Sequence, residues 1–148
     1  MHKVLYANVK FFQGRERAFL AWIGNFIRPV VYQEEETIFQ EGEKILEMFF
    51  LVKGKVGYIL PRFGQKRCLE INQGEHFGHA EIFNNRKMSE NLIKSTSHRS
   101  KLMKRTFQAV ALEEVNSLTL LISDIEKMRE EFPDIYESLL KESVNLYS

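Results

Sequence analysis

The sequence predicts a mainly β domain with one helix ahead of the strands and two behind them. Three observations carry this expectation. From residue 30 onward, short apolar or β-branched runs alternate with Gly or charged turns, the texture of a sandwich, barrel or jelly roll. At both ends of that region the apolar positions change to helical spacing. A length of 148 residues supports one substantial core and is short for two domains, and 44% apolar with 28% charged residues is the balance of a folded globular chain.

The elements follow in order. From Glu16 to Ile27 the apolar residues Phe19, Leu20, Trp22, Ile23, Phe26 and Ile27 recur at helical spacing, and Arg28-Pro29 closes the segment. Ahead of it, Val4 to Phe12 is apolar without a clean period and reads as helix or extended chain. Strand runs come next: Val30-Val31-Tyr32, Thr37-Ile38-Phe39, Met48 to Val52, Val56 to Leu60 and Cys68 to Ile71. Turn chemistry fills the gaps at Glu41 to Glu43, Lys53 to Lys55 and Pro61 to Gly64.

Gly74 to Gly78 reads as a tight turn, and His79 to Phe83 has room for one helical turn. Asn84 to Lys104 is polar, basic and rich in Ser and Asn, which marks a functional loop, a mobile one or an unrecognised helix. Strand texture returns at Thr106 to Leu112 and Val115 to Ile122 around Glu113-Glu114, which reads as a hairpin. Ser123 stands three residues before Glu126, the spacing of a capping box, and Ile125, Met128 and Phe132 share the face that follows. Pro133 ends that helix. Asp134 with Glu137 repeats the cap ahead of Ile135, Tyr136, Leu139, Leu140 and Val144, so a second helix runs toward the C-terminus. The expected organisation is one domain over 1–148: a helical segment 1–29, strands over 30–122 with a basic loop at 84–104, and helices over 123–148.

Several function classes fall away. No apolar run approaches the roughly 18–20 residues needed to cross a bilayer, and no secretory leader pattern opens the chain, so the piece is expected to be soluble. The lone Cys68 cannot form an internal disulfide, which favours a reducing compartment, and no Cys or His pair has metal-ligand spacing. His2, His76, His79 and His98 accompany no nucleophile motif and no Gly-rich dinucleotide loop, so no enzyme is expected. The formal net charge is +1, but Glu34 to Glu47 carries six Glu against Lys44, and Asn84 to Arg105 carries seven Lys or Arg against Glu90. These two segments are candidates to face each other. The basic one lacks interleaved aromatics and a recognition helix, so nucleic acid is not the expected partner.

At this point the order of motifs resembles a known family. Glu41-Gly42-Glu43 followed by Glu47 to Val56 resembles the paired strands "G-E … M-Y-F-I-x-x-G-x-V" of cyclic-nucleotide-binding domains. Gly74-Glu75-His76-Phe77-Gly78 resembles their phosphate cassette "G-x-x-F-G-E", and Arg105 to Leu112 resembles the strand after it. Ser123-Asp124-Ile125 through Phe132-Pro133 resembles the helix "D-F-x-x-L-x-x-x-F-P" of the ion-channel members, with a leaning toward protist-type potassium or cation channels. The resemblance runs from about Trp22 to Leu140. It implies a β-roll, that is, a double-stranded β-helix of jelly-roll type, with an N-terminal helix and two C-terminal helices.

The resemblance also implies a ligand, cAMP or cGMP or another small anion, and no bound cofactor or metal. It implies as partner the rest of a channel polypeptide on the cytoplasmic face of a membrane, where a homo-oligomer forms through the parent channel. The binding residues carried over are Phe77, Gly78, His79, Glu81 and Ile82 in the cassette, with Arg105 beside Thr106 as the first candidate for the phosphate and Arg86 as the second. Leu139 and Leu140 are the expected lid. The chemistry asks for backbone N–H groups converging where a Gly lets the chain turn closely, a short helix start aimed at the anion, and a guanidinium.

Two departures bear on affinity. The family places Glu after the Phe-Gly pair to take a ribose hydroxyl, and this chain has His79. The family's Arg follows the short helix closely, whereas here either Arg86 lies close by or Arg105 lies beyond the basic stretch. Hydrogen bonds to charged groups contribute roughly 1.5–3 kcal/mol each, against about 8 kcal/mol for a whole micromolar site. Two readings of the pocket therefore stand: it binds a cyclic nucleotide or similar anion, or the roll survives as a scaffold around a degenerate pocket.

Overall fold

The computed structural model describes residues 8–59, 67–79, 82 and 104–147, and the fold is that of the expected β-roll. A 3-10 turn at Lys10–Phe12 and helix α1 at Arg17–Ile23 precede eight strands. These are β1 (Arg28–Tyr32), β2 (Thr37–Phe39), β3 (Glu47–Lys53), β4 (Lys55–Ile59), β5 (Arg67–Asn72), β6 (His76–Phe77), β7 (Gln108–Ala111) and β8 (Val115–Leu121). Helices α2 (Ile122–Glu131) and α3 (Pro133–Tyr147) complete the chain.

The strands form two four-stranded sheets, β1-β8-β3-β6 and β2-β7-β4-β5, antiparallel throughout. The pairs β4 with β5, β3 with β6, β2 with β7 and β1 with β8 nest like the rungs of one long hairpin. Rolling that ribbon up brings β8 against β3 and β7 against β4, which completes each sheet.

This topology corrects the hairpin expected at Thr106 to Ile122, because β7 and β8 lie in different sheets and do not pair. The residues between them form a corner where the chain changes sheet. The Lys53-Gly54-Lys55 turn is a second such corner, and the two corners touch: Gly54 has φ +108, and a Cβ there would stand 2.4 Å from the Glu114 carbonyl oxygen. Both corners contain ordinary turn residues, so local composition does not distinguish a corner from a hairpin.

Strand β3 is buried on both faces, which is why Met48 to Val52 reads as a continuous apolar run and not an alternating one. Phe49 and Leu51 point into the roll, joining Phe39, Val56, Tyr58, Ile71, Phe77, Phe107, Ala109, Ala111 and Val115. Met48, Phe50 and Val52 point outward into a second core built with the helices, where Phe12, Phe19, Ile23, Ile125, Met128 and Leu139 are buried. Each such side chain contributes roughly 1.5–3 kcal/mol of burial.

The helix boundaries differ from the sequence reading in ways that tertiary contacts explain. Helix α1 stops at Ile23; Phe26 and Ile27 follow in a turn, and Arg28-Pro29 opens β1 instead of closing a helix. Proline is tolerated there because β1 is an edge strand. Ser123 is not a cap: β8 runs directly into α2 with Leu121 at the N-cap, no side chain caps it, and the Ile122 N–H donates to the Leu46 carbonyl. Pro133 does not only follow α2 but also opens α3, since its missing N–H costs nothing in a first turn; Asp134 lies inside that turn. The chain ahead of α1 is a 3-10 turn over Lys10–Phe12, with Val4 to Ala7 outside the described residues. Most of the basic stretch, residues 84–103, lies outside them too. Its end pairs with the acidic segment through backbone, Arg105 N–H to the Glu43 carbonyl and Gly42 N–H to the Arg105 carbonyl, with a bridge between Lys44 and Lys104.

Candidate ligand-binding site

Strand β6 is two residues long, and its pleat sends Phe77 into the roll and His76 to the outside, opposite Phe49 and Phe50 of β3. The Phe77 ring stacks on Phe49 with centroids 4.8 Å apart and planes 8° from parallel. The chain then turns at Gly78, whose φ of +78 favours glycine. A side chain there would also crowd Phe49 at 3.2 Å and the Arg105 guanidinium at 3.3 Å.

Arg105 comes from 27 residues further along and is only 4% exposed. Its Nη1 donates to the Gly78 carbonyl at 2.8 Å, its Nη2 to the Glu47 carbonyl at 2.6 Å, and its Cζ lies 3.9 Å from the centre of the Phe39 ring. Carbonyl dipoles and an aromatic face compensate part of the cost of burying a cation. The half-buried Glu47 carboxyl lies near enough for its proton affinity to reflect the guanidinium. Burial raises its pKa, Arg105 opposes the rise and Glu43 adds to it. Burial likewise raises the Tyr32 phenol, helped by Glu47 and Glu36.

The Gly78 N–H donates to the Tyr58 hydroxyl at 2.8 Å. The turn amide and the guanidinium, two donors suited to an anion, thus converge at one end of the roll, and both hold bonds within the protein. Behind them the interior is filled by rings, with Tyr58 and Phe107 centroids 4.4 Å apart and Phe39 against Phe49 at 6.1 Å.

The other expected residues are distributed as follows. His79 is 4% exposed and lies on the outer side of the turn, its ring 4.3 Å from that of His76. Burial holds its pKa well below the ordinary imidazole value, with His76 and Arg105 adding to the effect. Ile82 is helical and buried in the outer core, not in the roll. Thr106 is exposed beside Arg105. Leu139 is buried, and Leu140 half-buried, in the outer core beside the N-terminal aromatics. Glu81 and Arg86 lie outside the described residues. The sequence reading did not single out Tyr58, Glu47 or Phe39. Tyr58 had a signal, since a tyrosine in phase with the inward residue Val56 needs a buried partner for its hydroxyl. Glu47 acts through its backbone carbonyl, which no residue type announces.

Comparison with known proteins accords with this geometry. The chain is 25% identical over 144 residues to cyclic nucleotide-gated ion channel 1 of Arabidopsis thaliana, covering 97% of this chain but 19% of that channel. Among solved structures it resembles a candidate cyclic nucleotide-binding protein from Geobacter metallireducens, at a TM-score of 0.67 and 18% identity over 97% of this chain and 92% of that one. It also resembles the regulatory subunit of a cAMP-independent protein kinase A from Trypanosoma brucei, at 0.64 and 15% over 95% and 48%. Residues 29–99, which hold strands β1 to β6 and the Gly78 turn of the nested roll, match the model of the cyclic nucleotide-binding domain.

Proposed function

We propose that this chain, read as one domain, is a regulatory module that receives a cyclic nucleotide, cAMP or cGMP, at the Gly78–Arg105 end of the roll. Occupancy would be reported to a larger polypeptide through the C-terminal helices. The observation that supports this reading above others is the buried guanidinium of Arg105 held at the Gly78 turn, since it places a permanent positive charge beside the amide of a Phe-Gly turn. A phosphate entering there would take over donors now bonded to Tyr58 and to the carbonyls of Gly78 and Glu47. That exchange makes binding weaker than in a site with waiting donors, by roughly 1 kcal/mol or fivefold for each bond given up.

The parent that fits this role is a cation or potassium channel with the domain on the cytoplasmic face, a reading supported by the Arabidopsis relative. Homo-oligomerisation would come from the parent. Among the described residues no helix is long and apolar enough to cross a membrane, so the spans would belong to other parts of such a protein. Leu139 and Leu140 would serve as the lid only after leaving the outer core that now holds them.

A second reading rests on the same bonds: the internal partners of Gly78 and Arg105, with the ring-filled interior, suit a roll kept as a scaffold for protein contacts. Calorimetric titration with cAMP and cGMP separates the two. The expected result is a Kd of about 10 μM or weaker, weakened further by Arg105→Lys, which keeps the charge and loses the forked geometry. No heat at millimolar nucleotide rejects binding and leaves the scaffold. Tight binding indifferent to Arg105→Lys rejects the site.

A further inference from the structure

The outer side of the cassette turn carries a group of residues that nucleotide binding does not use. His76 Nε2 lies 2.8 Å from Glu142 Oε2, tying β6 to α3 across 66 positions of sequence. The His76 side chain is 12% exposed and Glu142 is 49% exposed. His79 packs edge-on against His76, and its Nδ1 is buried with no hydrogen-bond partner among the described residues. A cavity of about 350 Å³ adjoins both imidazoles and reaches solvent between β5, the 3-10 turn and α3.

We propose that the His76–His79 pair is a proton-operated latch: the His76–Glu142 contact docks α3 to the cassette turn while His79 is neutral, and a proton on His79 releases it. The groups that face the pair support this assignment. From α3 comes Glu142, from β5 Glu70, from the turn Glu75, and from the N-terminal segment Lys10 and Arg15. Glu70 pairs with Lys55 at 3.9 Å, Glu75 accepts the Asn72 N–H, and Arg15 donates to the Phe11 carbonyl and to Ser138 of α3. Lys10 and Arg15 thus stand against three carboxylates around the cavity. Phe11 and Phe50 wall the remaining sides of His76.

In the docked form the contact between His76 Nε2 and the Glu142 carboxylate bridges β6 to α3. The Glu142 carboxyl is held below its ordinary value chiefly by the hydrogen bond from His76, so it stays ionised across the pH range in which an imidazole titrates. His79 resists a second proton because it is buried beside His76 and Arg105. An undocked turn exposes His79 and lets it titrate near 6.5. The sign follows: below that value the undocked form binds more protons, so acid favours release, by up to about tenfold per pH unit. The latch needs no nucleotide and stands or falls separately from the ligand reading.

The test is amide hydrogen exchange of the 148-residue chain without ligand from pH 5 to 8, corrected for intrinsic rates, alongside histidine-ring NMR. Protection over α3 is expected to be greatest above pH 6.5 and to fall by roughly tenfold or more toward pH 5, while the α2 amides hold steady. His79→Gln is expected to abolish the acid loss. Constant α3 protection across the range, or an acid loss that persists in His79→Gln, overturns the proposal. Should that variant fail to fold, the wild-type ring spectra decide, because α3 loosening before His79 gains a proton overturns it equally.

Discussion

On its inner side the Phe77–Gly78 turn meets Arg105, Phe49 and Tyr58; on its outer side lie His76, His79, Glu142 and a cavity that opens to solvent. The inner charge is a guanidinium, which no accessible pH removes, held by two carbonyls and a ring. The outer groups are an imidazole pair, of which buried His79 is held well below the ordinary imidazole value, and a half-exposed carboxylate bridged to His76. A fixed, dry charge suits recognition of a permanent anion and the integrity of the roll. Titratable groups at a wet boundary suit adjustment of how a helix docks. The same four residues, His76 to His79, serve both sides because the strand pleat sends neighbours in opposite directions.

Changes on the inner side are expected to have the largest effects. Phe77→Ala removes a ring stacked on Phe49 and is expected to cost about 3–5 kcal/mol in urea or thermal unfolding. Arg105→Met leaves the Gly78 and Glu47 carbonyls without their donor, a loss of about 2–4 kcal/mol by the same measurement. A neutral or stabilising result would show that the guanidinium costs as much to bury as it returns.

The outer side is expected to respond to pH before it responds to mutation. Because the pKa of His79 is depressed in the fold, the unfolded chain binds a proton first as pH drops through 6.5. Stability is therefore complete above that value and lost below it, by at most about 2 kcal/mol at pH 5. Denaturant midpoints measured from pH 8 to 5 should show this slope, and His79→Gln should remove it. Glu142, depressed as a carboxylate, would contribute its own loss only at lower pH.

Two smaller effects sharpen the contrast. Tyr58→Phe deletes the acceptor of the Gly78 N–H and should cost roughly 1–2 kcal/mol. If the nucleotide takes that amide over, the same variant should bind it more tightly in calorimetry. Glu142→Gln should cost less than about 1 kcal/mol, because water screens a half-exposed pair.

Local pattern determined much of this protein. The helical spacing around Phe19 and Ile23, the continuous run Met48 to Val52 and the Phe77-Gly78 pair each read correctly because period and turn chemistry are properties of neighbouring residues. Arg105 stood out in the sequence through the strand it introduces, and it lies buried at the Gly78 turn. Tertiary structure decided the rest. Whether Lys53-Gly54-Lys55 and Glu113-Glu114 close hairpins or turn corners depends on which distant strand waits to pair, and that is settled only when the ribbon rolls up. Leu121 takes the N-cap of α2 without a side-chain bond because the Leu46 carbonyl, just ahead of β3 and far away in sequence, receives the next amide. His79 occupies the place of a ribose ligand in the motif, yet its side chain lies on the far side of the turn with α3, since only the packed chain decides which face of a turn a neighbouring helix covers. Sequence specifies periods and turns at short range; partners across tens of residues follow from burial, which belongs to the whole fold.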